Sequence, residues 1–231
     1  MMNERIIVTL TSYKGRIANV GKVIFSILQN TLQPYKIVLN LSSNEFPNKE
    51  KELPEDLLLI TSTGKFEIFW VKENTKQFKK LIPTLERFPE DIVISIDDDV
   101  IYPNYFIETL YKDFCEIGKV NPITCGYWRD KWAYNGEYSH HGSYTLITKD
   151  MFGDKFEQMK KLIKEHLWKE LWFDDPLYTY FVQAAGHHYV RSKFDGNTIK
   201  KFYGMKNIGV SNTHYKERMK EHEFLKKVLF K

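Results

Sequence analysis

The stretch DIVISIDDDV, residues 91–100, decides how the rest of the chain is read. Residues 91–96 are apolar apart from the leading Asp91 and Ser95, the pattern of a strand buried on both faces in a parallel sheet. Three carboxylates follow at once. Consecutive acids repel one another unless a cation or hydrogen-bond donors compensate them, so the run reads as a strand that delivers charge to a site at its carboxyl end. Side chains alternate along a strand, which places Asp97 and Asp99 toward one site and turns Asp98 elsewhere, to a ribose hydroxyl or a structural donor. Two protein oxygens, completed by water and phosphate, is a common way to hold Mg2+ or Mn2+. The plain alternative is a solvated acidic turn.

Working outward toward the N-terminus, β and α patterns alternate. Residues 6–10 are a short apolar strand, residues 11–16 a polar turn, and Ile17, Val20, Val23, Ile24, Ile27 and Leu28 recur at helical spacing. Pro34 ends the connection and residues 36–41 form a second strand. Residues 42–54 read as a mobile polar loop. Residues 57–61 and 66–71 are further strand candidates, and residues 79–88 fit a helix with Pro83 as a local fault. This alternation predicts an α/β fold with an open, mostly parallel sheet, flanked by helices, that binds its ligand at the strands' carboxyl ends.

Toward the C-terminus the chain is less regular and rich in aromatic residues, which predicts a second lobe on the same sheet. Residues 156–171 read as a helix. A short, nearly all-apolar helix follows, opened by Asp175 as N-cap with Pro176 at the first helical position and closed by Gly186. No repeat or linker is seen, so residues 1–231 are expected to form one domain, divided into halves at 1–103 and 104–231.

Composition narrows the class. The chain has 231 residues, 42% of them hydrophobic and 28% charged, which excludes a disordered or collagen-like chain. Its apolar runs fall far short of the roughly 20 residues of a membrane-spanning helix. Residues 1–5 pass straight into a strand with no small-residue cleavage site, so no secretory signal is expected, and Cys115 and Cys125 read as reduced core thiols. A cytoplasmic location follows as the expectation. Residues 200–231 carry nine Lys and Arg against three Glu, so the tail holds the whole of the net +4. Its last 17 residues form a basic amphipathic pattern, which either packs on its own domain or rests on an anionic membrane at the inner face.

The order of these features resembles the nucleotide-sugar glycosyltransferases of the GT-A fold, in particular the family 2-like enzymes of bacterial surface glycans. The likeness runs from about residue 5 to about residue 216 and is carried by VTLTSY, then DIVISIDDDV, then FDDPLYTYFVQAAG, then SNTHYKER. It implies a nucleotide-sugar-binding half at 1–103 and an acceptor-binding half at 104–231, with Thr11, Ser12, Tyr13 and Arg16 holding the nucleotide, Tyr13 stacking on the base, and Lys76, Lys79, Lys80, Asp98 and Lys216 contacting the donor. It implies Asp97, Asp99 and His214 around the metal, with a UDP-sugar as donor. It also implies an acidic pair at Asp174 and Asp175, of which Asp175 takes the acceptor's proton. The family pair is commonly Glu-Asp; here it is Asp-Asp. The Arg-Asn dipeptide of one large branch is replaced by the lysine-rich segment.

The chemistry asks for three things. A departing diphosphate needs a cation and basic donors, an attacking hydroxyl needs a base, and the sugars need flat apolar faces with planar polar groups. Tyr127, Trp128, Arg129, Trp132 and Trp172, with His141 beside Gly142, are the candidates for the acceptor side, a glycan or a lipid-linked sugar. A base opposite the leaving group implies inversion. The rivals are a metal-dependent nucleotidyltransferase or phosphohydrolase, lacking here the expected glycine-rich loop, and a noncatalytic carbohydrate-binding module, which leaves the acidic triplet without a purpose. A nucleic-acid partner is not expected, because the acidic site disfavours it.

Overall fold

The computed structural model of the chain describes residues 4–124, 127–128, 139–140, 143–195, 198–201 and 215–230. In chain order they form β1 (Ile6–Thr11), α1 (Val20–Leu28), β2 (Lys36–Ser42), α2 (Glu55–Thr61), β3 (Phe66–Val71), α3 (Ile82–Arg87), β4 (Ile92–Ile96), β5 (Val100–Ile101) and α4 (Phe106–Glu116). There follow β6 (Ile123–Thr124), β7 (Tyr127–Trp128), β8 (Ser139–His140), β9 (Tyr144–Ile147), α5 (Lys155–His166), α6 (Asp174–Ala184), β10 (Val190–Arg191), β11 (Lys200–Lys201) and α7 (Tyr215–Leu229).

Seven strands make one sheet in the order β10-β6-β9-β4-β1-β2-β3. The pairs β1–β2, β1–β4 and β2–β3 are parallel, and β9 runs antiparallel to both β4 and β6. This is the mostly parallel, Rossmann-like α/β sheet that the alternating pattern implied. Ile7, Val8 and Leu10 of β1 and Val93, Ile94 and Ile96 of β4 are fully buried, as expected of strands covered on both faces. Val20, Val23, Ile24 and Ile27 repeat at helical spacing and are all buried; they are the stripe that α1 packs on the core. The second half of the chain supplies β9, β6 and β10 to the same sheet.

Several local expectations are corrected. Residues 57–61 are helical, not a strand: Pro54 precedes the helix in an extended conformation, and Glu55 and Asp56 stand in its first turn, where acids favour a helix start. The polar segment 42–54 is anchored rather than loose, because Phe46 is fully buried edge-on to Trp70. Pro83 splits the expected helix at 79–88 into a 3-10 turn at Lys76–Lys80 and α3, where the proline sits harmlessly in the first turn. The helix expected to run to residue 171 stops at His166. Cys115 is exposed, not a core thiol, and Cys125 lies outside the described residues.

The basic helix α7 packs on α6. Glu221, His222 and Leu225 are fully buried beneath it, while Lys216, Lys220 and Lys227 face outward. Among the described residues no helix is long and apolar enough to cross a membrane.

Candidate active site

After β3 the chain crosses back to place β4 on the free side of β1. The carboxyl ends of β1 and β4 therefore flank a topological switch point, the usual ligand crevice of an open α/β sheet. The residues after each strand meet there. The turn after β1 is closed by Tyr13, whose carbonyl accepts from the N–H groups of Arg16 and Ile17 at 2.9 and 3.0 Å. This turn carries Arg16 back over the strand ends. Its Nη1 lies 3.1 Å from Asp98 Oδ1 and 3.2 Å from Asp99 Oδ2, and Ser12 Oγ donates to Asp98 Oδ2 at 2.6 Å.

The triplet therefore does not alternate as a strand would. β4 ends at Ile96, and Asp97–Asp99 form a tight turn into β5. Asp98 and Asp99 share the guanidinium, and Asp97 turns toward Lys80. The Asp97 backbone N–H is fixed by Ser143 O at 3.2 Å and the Tyr102 hydroxyl at 3.1 Å. Asp98 is nearly sealed from solvent, and burial pushes its carboxyl up even though Ser12 and Arg16 favour the charged form. Asp97 is likewise pushed up by burial, with Lys80 opposing.

Lys80 joins the two halves of the site. Its ammonium lies 3.2 Å from Asp97 Oδ1 and 3.3 Å from Asp174 Oδ2. Burial alone would lower its pKa, yet the carboxylates of Asp174, Asp97 and Asp175 outweigh it and raise the ammonium's pKa above the usual lysine value. The backbone beneath is fixed by a buried polar cluster in otherwise apolar strands. Thr9 Oγ1 donates to Lys80 O at 2.7 Å, and Asn40 Nδ2 donates to the hydroxyls of Thr9 and Thr84 at 2.9 Å each. Lys79 points the other way, 3.2 Å from Glu45, and burial lowers its pKa.

The acidic pair opens α6 two residues earlier than expected. Phe173, not Asp175, is the N-cap, so Asp174 and Asp175 occupy the first turn. The start of α6 is held from α7: Glu221 accepts from the N–H of Trp172 at 3.1 Å and of Phe173 at 3.1 and 3.3 Å. Burial pushes the Glu221 carboxyl up against those donors.

These side chains line a cleft of about 400 Å³. Thr11, Ser12, Tyr13, Arg16, Lys76, Lys79, Lys80, Asp97, Asp98 and Asp174 all stand on its wall, so most of the donor residues expected from the sequence converge. Asp175 is only 9% exposed and does not line the cleft, nor do Asp99, Trp172 and Lys216. Trp172 stands behind the wall, edge-on to Trp168, and Lys216 faces outward from the start of α7. Arg129, Trp132, His141 and His214 lie outside the described residues, and Tyr127 and Trp128 are described only as strand backbone pairing with β8. Glu45, Gln77 and Trp168 complete the lining without having been singled out from the sequence. A larger groove of about 630 Å³ runs along β3 and α5, where Lys160 pairs with Glu86 and Glu157 and Lys164 with Glu73. It assembles no comparable chemistry.

Among the described residues no three His, Cys, Asp or Glu side chains are grouped to hold a metal ion. Asp97 and Asp99 carry the oxygen donors that a hard divalent cation takes, but in this arrangement they are paired instead with Lys80 and Arg16.

No protein-family model matches the chain, and no curated protein matches its sequence. Solved structures match by shape. The mannosyltransferase PcManGT of Pyrobaculum calidifontis, solved with GDP-Man and Mn2+, superposes with a TM-score of 0.54 at 12% identity, covering 81% of this chain and 54% of that one. A cytidylyltransferase of Leptospira borgpetersenii gives 0.52 at 12% identity, covering 85% and 79%. An active-site mutant of LgtC gives 0.50 at 12% identity, covering 98% and 96%. At such identities the likeness establishes the fold, a GT-A-type Rossmann-like sheet found in both glycosyltransferases and nucleotidyltransferases.

Proposed function

We propose that the chain is a glycosyltransferase that moves a sugar from a nucleoside diphosphate, a UDP-sugar in the first instance, to a glycan or lipid-linked hydroxyl during surface polysaccharide synthesis. One observation carries the reading: Lys80 binds Asp97, at the carboxyl end of β4, and Asp174, at the head of α6, so one cleft joins the acidic turn of the sheet to the acidic pair.

In this reading Tyr13 and Arg16 receive the nucleotide, and Asp97 on the cleft wall, with Asp99 turned from Arg16, would hold Mg2+ or Mn2+. The bound cation would supply charge neutralisation for the leaving diphosphate. Lys80 and Arg16 add fixed positive charge at that end of a partly dry cleft, where it favours the transition state over the ground state. The acceptor oxygen attacks the anomeric carbon, the bond to the diphosphate oxygen breaks, and the acceptor proton passes to a carboxylate of the acidic pair. Asp174 is the member on the cleft wall, and the base is assigned to it in preference to the more buried Asp175. Attack from the side opposite the diphosphate inverts the anomeric centre.

The test is a product assay with two arms. With Mn2+ and a panel of nucleotide sugars, release of nucleoside diphosphate supports the proposal. With nucleoside triphosphates and sugar 1-phosphates, release of pyrophosphate instead would make the chain a nucleotidyltransferase.

A further inference from the structure

Trp168 combines two costs that a chain rarely accepts together. α5 ends at His166, Leu167 leaves in an extended conformation, and Trp168 then adopts φ +62°, the left-handed region where a Cβ is crowded and glycine or asparagine is usual. Its side chain is also 36% exposed. The turn that enforces this is tight: Trp168 N–H donates to Leu171 O at 3.0 Å, while the N–H groups of Lys169 and Leu171 return to His166 O at 3.0 and 3.1 Å. Trp168 thereby stands on the wall of the cleft that Asp174 and Lys80 also line.

Its surroundings hold it still. Trp172 meets the indole edge-on with ring centres 4.8 Å apart, and its own Nε1 donates to Lys169 O at 3.2 Å. Gln77 Nε2 donates to Trp172 O, tying this connection to the 3-10 turn across the cleft. That turn begins at Lys76, which is also left-handed at φ +56°. Of the four non-glycine residues with positive φ among those described, two line this one cleft. Strain gathered at a ligand-sized crevice marks a site where geometry is held for use.

A rigid, half-exposed indole flanked by charged groups matches the amphipathic ring of a sugar, whose C–H face is apolar and whose hydroxyls radiate from its edge. Position separates donor from acceptor. Tyr13 and Arg16 stand at the end of β1, whereas Trp168 lies on the same connection, 167–173, that delivers Asp174. We infer that Trp168 is the platform on which the acceptor's sugar ring stacks beside Asp174. This inference rests on the glycosyltransferase reading above.

Saturation-transfer NMR with methyl glycosides of hexoses, N-acetylhexosamines and uronic acids, in the presence of UDP and Mn2+, tests it on wild type, W168F, W168A and W168G. Wild type and W168F should saturate the C–H protons of one face of a preferred sugar. W168A and W168G should lose that signal at least fivefold, with the UDP signals unchanged. W168G should also melt no lower than W168A, because glycine relieves the backbone that alanine leaves strained, so a sugar signal lost equally in both is not a loss of fold. Sugar signals indifferent to residue 168, a loss confined to the UDP base, or no sugar signal from a nucleotide-binding wild type would each overturn the inference while leaving the glycosyltransferase reading standing. Failure of wild type to bind any nucleotide would instead remove the reading on which it rests.

Discussion

Ser12 Oγ donates to Asp98 Oδ2 across 2.6 Å, linking the residues that leave β1 and β4. With Arg16 on the other oxygen, Asp98 is the buried tie that closes the switch point of the sheet. Asp98→Ala removes an anion from beneath Arg16 and leaves the Ser12 hydroxyl without its acceptor. Breaking such a pair typically costs about 3–5 kcal/mol, or a fall in Tm on the order of 10 °C for a chain of this size. Thermal unfolding without ligand should show that loss, and Asp99→Ala, at a more exposed carboxylate, should show a smaller one.

Lys80→Met leaves Asp97 and Asp174 without the ammonium between them. The variant should melt below wild type and should gain more from added Mn2+ than wild type does, since a divalent ion then relieves the exposed repulsion. A ligand at 100 times its Kd adds about 2.7 kcal/mol. Melting curves with and without Mn2+ or a chelator check this, and an equal metal effect in both proteins would contradict it.

Asp174→Asn and Asp175→Asn separate the two carboxylates. The first should keep nucleotide affinity and lower kcat by about 10²–10⁴-fold, the range of general-base catalysis. The second should act chiefly on stability. Steady-state kinetics decide, and the reverse pattern would return the base to Asp175.

His222 sets an acid limit on stability. Burial, then Arg218 and Lys226, lowers its pKa from 6.5 to about 3. Between those values the unfolded chain binds one more proton than the folded chain, so stability falls as pH falls, by up to about 1.4 kcal/mol per pH unit. Glu221, raised by burial, favours the folded state on the acid side and acts in the opposite sense. The His222 contribution is therefore read by difference: His222→Gln should flatten the fall in denaturation midpoint below pH 6.5, and an unchanged slope would contradict the assignment.

Much of this was legible in the sequence because it depended on local patterns. The apolar run 92–96, the polar turn after β1 and the helical stripe of α1 each follow from periodicity, and together they place Ser12, Arg16 and the triplet at one sheet edge. Residues 57–61 were misread because a short apolar run is ambiguous between strand and helix, and only packing leaves Leu59 exposed and Leu57 buried. The split of the triplet between Arg16 and Lys80 was hidden because alternation stops where β4 stops. Trp168 and Glu45 carry no local signal at all; a left-handed turn after α5 and a buried Phe46 bring them to the cleft.

The most direct test of the central claim is nucleotide-sugar protection against thermal unfolding in Mn2+, measured on wild type and on the Asp97→Ala and Asp99→Ala variants. The account expects at least one nucleotide sugar to raise the Tm of wild type, with the rise lost in both variants. Equal protection of all three proteins would contradict it.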